Sequence, residues 1–160
     1  MLRIYNAYTN DKDSFSSLED SIIELMKTCD QEFATPLNEK VDFKSYVRKI
    51  RDYETFIWDE EDGVLRGFIA GYTDNQVGDM AYAALLMISP SVRCQGLATR
   101  LFAAFLDLCR EKGIGKVHFF TDGNAGQRAL YSSLGDYELS RDEARPKSLH
   151  LCIDTIEDRK

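Results

Sequence analysis

The spacing of apolar and polar residues changes along the chain in an order that predicts one mixed sheet flanked by helices. Leu2 to Tyr8 reads as a first strand. Phe15 ahead of Ser17, with Asp20 three residues later, has the form of a capped helix start, and Leu18, Ile22, Leu25 and Met26 then recur at helical spacing towards an end near Cys29. A second helix is predicted from Asp42, because Phe43, Tyr46, Val47 and Ile50 fall on one face, and the polar segment between, Asp30 to Lys40 with Pro36, is predicted as a loop. Thr55 to Trp58 and Val64 to Thr73 are strand-like runs joined by Asp59-Glu60-Glu61-Asp62-Gly63, a turn whose glycine tolerates positive φ. Ala81 to Ile88 is almost uninterruptedly apolar and stops at Ser89-Pro90, the pattern of a central strand buried on both faces. Leu97, Leu101, Phe105 and Leu108 mark a helix that ends at Lys112, with Gly113 as its C-terminal cap. Val117 to Thr121 supplies another buried strand, Ala125 to Leu134 a short helix ended by Gly135, and Tyr137 to Leu139 with Ser148 to Ile153 a closing hairpin. This order predicts an α+β fold whose sheet contains one parallel central pair. No repeat, low-complexity run or Pro/Gly/Ser-rich linker interrupts it, so residues 1–160 are read as a single domain.

Composition fits a globular chain with a substantial core: 44% of the 160 residues are hydrophobic and 29% charged. The apolar runs are too short or too interrupted to cross a bilayer, and Met1 opens directly into Leu2-Arg3-Ile4-Tyr5 without a signal-peptide pattern, so a cytoplasmic protein with no membrane partner is expected. The four cysteines lack Cys-x-x-Cys spacing and have two histidines for company, which predicts free thiols and neither a zinc site nor a disulfide framework. A formal net charge of -7 argues against nucleic acid as a direct partner. It favours a cationic small molecule or a basic peptide, although solubility alone also accounts for such acidity.

The segment from Ile88 to Ala98 carries the chemistry. A buried strand runs into a tight polar turn and then straight into a helix, so backbone N–H groups converge where the helix contributes about half a positive charge. Gly96 allows a phosphate to approach the backbone, and the small Ala98 keeps the first turn clear. Taken on local physics alone, the same residues also describe an ordinary strand-to-helix turn with a surface arginine. Other motifs fall short. Gly113-Ile114-Gly115-Lys116 is too short for a P-loop and precedes a strand, Cys94 has no histidine nearby to activate it, and His118 and His150 lie inside apolar strands where a structural role is expected.

Arg93-x-x-Gly96-x-Ala98, following a buried strand and Pro90, resembles the Arg/Gln-x-x-Gly-x-Gly/Ala loop of the GNAT acetyltransferases. The resemblance continues through Leu86-Met87-Ile88-x-Pro90 before it, Leu101 and Phe102 after it, and Asn124 to Gly135 beyond, spanning Ala81 to Tyr137 in all. Three positions depart from the family pattern: Ala98 for the commoner glycine, Gln127 for alanine, and Gly135-Asp136-Tyr137 for glycine-phenylalanine. What the resemblance implies is a GNAT-like sheet with a splayed parallel pair, and acetyl-CoA as cosubstrate. It places the pyrophosphate on the amides of Arg93, Cys94, Gln95, Gly96, Leu97, Ala98 and Thr99, and the pantetheine arm along the backbone of Leu86, Met87 and Ile88. Asn124 would contact the cofactor, Tyr131 would protonate the departing thiolate, and the early helices and loop would line the acceptor side. By itself Asn124 also reads as a plain helix N-cap and Tyr131 as a packing tyrosine.

The implied activity is direct transfer of acetyl to a primary amine of a small molecule or peptide. A cationic acceptor would be drawn by the carboxylates of Asp30 to Glu39 and Asp59 to Asp62, and a homodimer is compatible with the family. Such transfer needs a donor for the oxyanion, which the strand amide near Met87 or Ile88 can supply, and a base for the amine. Asp79 and Glu32 can be named for the base, but both also read as solvated surface carboxylates. The competing reading is a non-catalytic acyl-CoA-binding or protein-interaction module on the same fold.

Overall fold

The computed structural model describes residues 2–29, 42–74, 80–93, 95–121, 137–141 and 149–154, those after 119 through their backbone alone. The strands are β1 (Leu2–Asn6), β2 (Thr55–Glu61), β3 (Val64–Tyr72), β4 (Met80–Ile88), β5 (Lys116–Thr121), β6 (Tyr137–Arg141) and β7 (Leu149–Asp154), and the helices α1 (Lys12–Ser16), α2 (Glu19–Cys29), α3 (Phe43–Tyr53) and α4 (Leu97–Glu111). The strands form one seven-stranded sheet in the order β1-β2-β3-β4-β5-β7-β6. β4 and β5 are parallel, and every other neighbouring pair is antiparallel.

Period-two alternation in the strands divides the core into two clusters, one on each face. Phe56, Phe68 and Ala70 pack against Phe15, Ile22, Met26, Val47 and Ile50 of α1 to α3. Their neighbours Ile57 and Ile69 pack on the opposite face against Leu101, Phe102 and Phe105 of α4. α4 ends as predicted: Gly113 takes φ 78°, and the amides of Gly113 and Ile114 bond to the carbonyls of Arg110 and Cys109.

Beyond shifts of one or two residues at strand ends, two predicted elements change. The first helix begins earlier and breaks, because the Asp11 side chain accepts from the Asp13 amide and starts α1, while Ser17 closes that helix instead of opening the next. This places Phe15 wholly inside the core. The acidic turn shrinks to Asp62-Gly63, both at positive φ as a two-residue hairpin requires. β2 can run through the acidic residues because Arg66 bonds to Asp59 and Glu61 and Arg3 reaches Glu60, which removes most of the repulsion between them.

Candidate functional site

An irregularity in β4 opens the sheet. Ala70 pairs with Leu85 and Gly71 with Ala83, so Ala84 is an extra residue with no partner on β3. Such a bulge kinks a strand and increases its twist. Its effect is visible in the packing: Ala81 and Ala83 belong to the α4 side, whereas Leu85 and Met87, which share their parity, belong to the α1 to α3 side. The parallel ladder runs from Met80↔Lys116 to Tyr82↔His118 and ends there, next to the bulge. From Ala83 onward β4 continues to Ile88 with no described pairing to β5.

Backbone alternation decides what faces this opening. The Ser89 amide bonds to the Arg66 carbonyl across β3, at 2.8 Å, so Met87 shares that orientation while Leu86 and Ile88 turn their N–H and C=O groups towards the β5 side. The chain then turns through a short 3₁₀ segment, Pro90–Val92, to Arg93. The Arg93 guanidinium folds back on the strand end, donating from Nη2 to the Ile88 carbonyl at 3.1 Å and to Cys29 Sγ at 3.7 Å. Gly96 caps α4 at φ 80°, and being glycine it offers no side-chain oxygen to the first amides of the helix. Those donors, on Ala98 and Thr99 above the buried Leu97, therefore point outward as an anion site does. Gln95 and Gly96 are exposed beside them, and the Gln95 carbonyl accepts from Arg100 at 3.3 Å. The structure thus gathers Leu86, Met87, Ile88, Arg93, Gln95, Gly96, Leu97, Ala98 and Thr99 at one end of the opening. Cys94, Asn124 and Tyr131 lie outside the described residues, as do Glu32 and Asp79.

The model of the acetyltransferase (GNAT) family matches residues 19–136. The chain belongs to the GNAT family of acetyltransferases. Its fold is similar to that of an aminoglycoside 6'-acetyltransferase type Ii, at 16% identity and a TM-score of 0.74 over 98% of this chain and 97% of that one. It is likewise similar to an aminoglycoside 6'-N-acetyltransferase complexed with coenzyme A (14%, TM-score 0.73, 100% and 99% covered). A third is the ribosomal-protein-S18-alanine N-acetyltransferase of Escherichia coli (15%, TM-score 0.67, 100% and 99% covered). No curated protein sequence matches the chain. Family membership bears out the expected enzyme class, with acetyl-CoA as its cosubstrate, and the mixed sheet with its parallel β4–β5 pair. Among the described residues, no helix is long and apolar enough to cross a membrane.

Within this GNAT fold a second group of side chains, of which the sequence singled out His118 alone and for a structural role, lies on the α1 to α3 face at the end of the ladder that adjoins the opening. Tyr72 on β3 stacks with Tyr82 on β4 at 6.2 Å, and Tyr82 with His118 on β5 at 4.9 Å, a row of rings across the last paired positions before the opening. Above it, α3 sets Lys49 Nζ 5.9 Å from the Tyr46 ring and 5.4 Å from the Tyr72 ring. Glu54, which ends α3, is only 1% exposed, and neither carboxylate oxygen has a hydrogen-bond partner. Tyr72 stands beside it and favours the charged form. Burial dominates and pushes the Glu54 carboxyl up to about 7, against the opposing pull of Lys49. Burial likewise raises Tyr46, with Glu54 and the other two tyrosines adding to the shift. The carboxylates of Asp59, Glu60 and Glu61, expected to draw a cation, stand elsewhere, at the Ile88 end of the sheet, and are engaged by Arg3 and Arg66.

The raised Glu54 fixes a pH dependence. Between pH 4.5 and about 7 the folded protein keeps a proton that the unfolded chain has lost, so stability falls as pH rises through that window. The whole effect is on the order of 3 kcal/mol. Glu54→Gln has nothing to ionise there. Its stability relative to the wild type, read by urea denaturation, is expected to increase between pH 5 and pH 8, and an unchanged difference would mean that Glu54 titrates normally.

Proposed function

We propose that the chain transfers acetyl from acetyl-CoA directly to a primary amine of a small molecule or peptide, as a single domain over residues 1–160. The observation that carries this reading is the opening in the sheet beside the glycine-capped start of α4. An extended pantetheine with two amides fits backbone groups left without a neighbouring strand, as a peptide does at a sheet edge, and a diphosphate fits the outward amides of α4. In this reading Leu86 and Ile88 pair with the arm, and the Ile88 amide donates to the thioester oxygen as negative charge develops there. The amides from Arg93 through Thr99 hold the pyrophosphate, with Asn124 beside the cofactor and Tyr131 delivering a proton to sulfur. Two similar folds are aminoglycoside acetyltransferases and a third is a ribosomal-protein-alanine acetyltransferase, which supports an amine acceptor without choosing between sugar and peptide. The net charge of -7 favours a cationic one.

Calorimetry with CoA tests the reading. One molecule is expected to bind per chain and, at 100 times its Kd, to stabilise the fold by about 2.7 kcal/mol. Arg93→Glu places a carboxylate beside both the phosphate site and the Ile88 carbonyl, and is expected to weaken CoA at least about tenfold, the worth of one charge-assisted contact. Cys94→Ser should leave affinity unchanged. No binding at millimolar CoA would overturn the proposal.

A further inference from the structure

The acceptor enters such a reaction as an ammonium ion, and something must take its proton before the nitrogen can attack. The row of rings from Tyr72 through Tyr82 to His118 ends at the last rung of the β4–β5 ladder, so it borders the place where the acyl group would meet an amine. Glu54 lies at the edge of the same group, among the side chains that surround Tyr46 on α3. Nearly all its surface is buried, and both oxygens are unbonded. A carboxylate in that condition is costly, because burial without hydrogen bonds forfeits the solvation of each oxygen. Core packing gives no reason to keep it, since an apolar residue of the same size would fill the space at no such cost.

We infer that Glu54 is the base that accepts the acceptor ammonium's proton, at an acceptor site walled by Tyr46, Tyr72 and Tyr82. This rests on the acetyl transfer proposed above. The proton leaves nitrogen for the Glu54 carboxylate, directly or across a water held by the tyrosine hydroxyls. The freed lone pair forms the C–N bond to the thioester carbon, and the C–S bond breaks with its electrons going to the CoA sulfur. The proton that nitrogen loses on becoming an amide ends on that sulfur, and Glu54 returns its own to solvent. The groups facing Glu54 are Lys49 and Tyr46 of α3 and Tyr72 of β3, with Tyr82 and His118 continuing the row on β4 and β5. Lys49 over the rings of Tyr46 and Tyr72 shows that the same walls accommodate an ammonium. Burial holds the carboxyl near neutral pH, where a base both exists in the right form and retains affinity for the proton.

The test is the pH profile of kcat/KM with a primary amine identified by screening. The wild type is expected to show an acidic limb near pH 7. Glu54→Gln should lose that limb and about 10²- to 10⁴-fold in kcat, with the CoA Kd unchanged. Because imidazole is the other side chain that ordinarily changes charge near neutral pH, His118→Gln is measured alongside and should keep the limb. Glu54→Asp, with the carboxylate drawn back by one methylene, should lower kcat with little change in KM, and it serves if the glutamine variant does not fold. An acidic limb that persists in either Glu54 variant at unchanged pH and rate, or that vanishes in His118→Gln, overturns the assignment while leaving the transferase reading intact. A wild type that binds CoA but acetylates no primary amine at any pH overturns both.

Discussion

Replacing Tyr131 by phenylalanine is expected to lower kcat by about 10²- to 10⁴-fold while the CoA Kd stays the same. The leaving group in acetyl transfer is a thiolate, whose conjugate acid has a pKa of about 8.5, and the tyrosine phenol has one of about 10. Full donation is therefore uphill, but a hydrogen bond that strengthens as charge develops on sulfur lowers the barrier without stabilising the ground state. The substitution removes that hydroxyl alone and leaves the ring to pack. The measurement must be made where chemistry limits turnover, by single-turnover kinetics if product release is slow. Unchanged kcat under those conditions would assign Tyr131 to packing and proton delivery to water. A parallel loss of CoA affinity would make it a binding residue instead.

Gly71→Ala is expected to destabilise the fold by about 3 kcal/mol, the upper range for overpacking. At 160 residues that corresponds to roughly 6 to 12 °C in melting temperature. A Cβ on Gly71 would collide with the Tyr82 carbonyl, and it would come within 2.8 Å of the Phe105 ring and 3.0 Å of the Ala83 backbone. Two of these neighbours are backbone, which cannot rotate away as a side-chain tip does. Tyr82 and Ala83 are also the two residues that run into the bulge at Ala84, so relief requires β4 to shift where it parts from β5. The variant is accordingly expected to lose CoA affinity as well as stability. Full retention of melting temperature would mean that α4 and β4 separate more easily than their packing implies.

The contrast between Gly71 and Gly96 separates what a sequence carries from what it does not. Gly96 sits in a local pattern of strand, proline, polar turn and helix, and its φ of 80° is a property of that turn alone. Local patterns also foretold the Asp42 cap, which accepts from the Ser45 amide, and the Gly113 stop. They foretold the apolar run of β4 and the turn that joins β2 to β3, because capping, turn chemistry and periodicity act over a few residues. The first helix went differently for an equally local reason, Asp11 offering an earlier cap than Ser17. Gly71, by contrast, lies in an ordinary strand, and only the approach of Phe105 and the Tyr82 carbonyl from distant segments forbids a side chain there.

Glu54 belongs to the same second class. In sequence it is one acid between a helix and a strand with nothing to mark it, and the acids that the sequence suggests for a base are Asp79 and Glu32. Its raised pKa arises from burial where α3 meets β3, which outweighs the pull of Lys49 and Tyr72 beside it. The sequence by itself determined the family, the turn at Gly96 and, among the described residues, the order of the elements apart from the break in the first helix, since each rests on residues close together in the chain; the helix expected over Ala125 to Leu134 lies outside the described residues. The tertiary structure alone decided where β4 bulges away from β5, which backbone groups face the opening, and which carboxylate is stripped of water, because burial and desolvation are sums over neighbours that folding brings from remote parts of the chain.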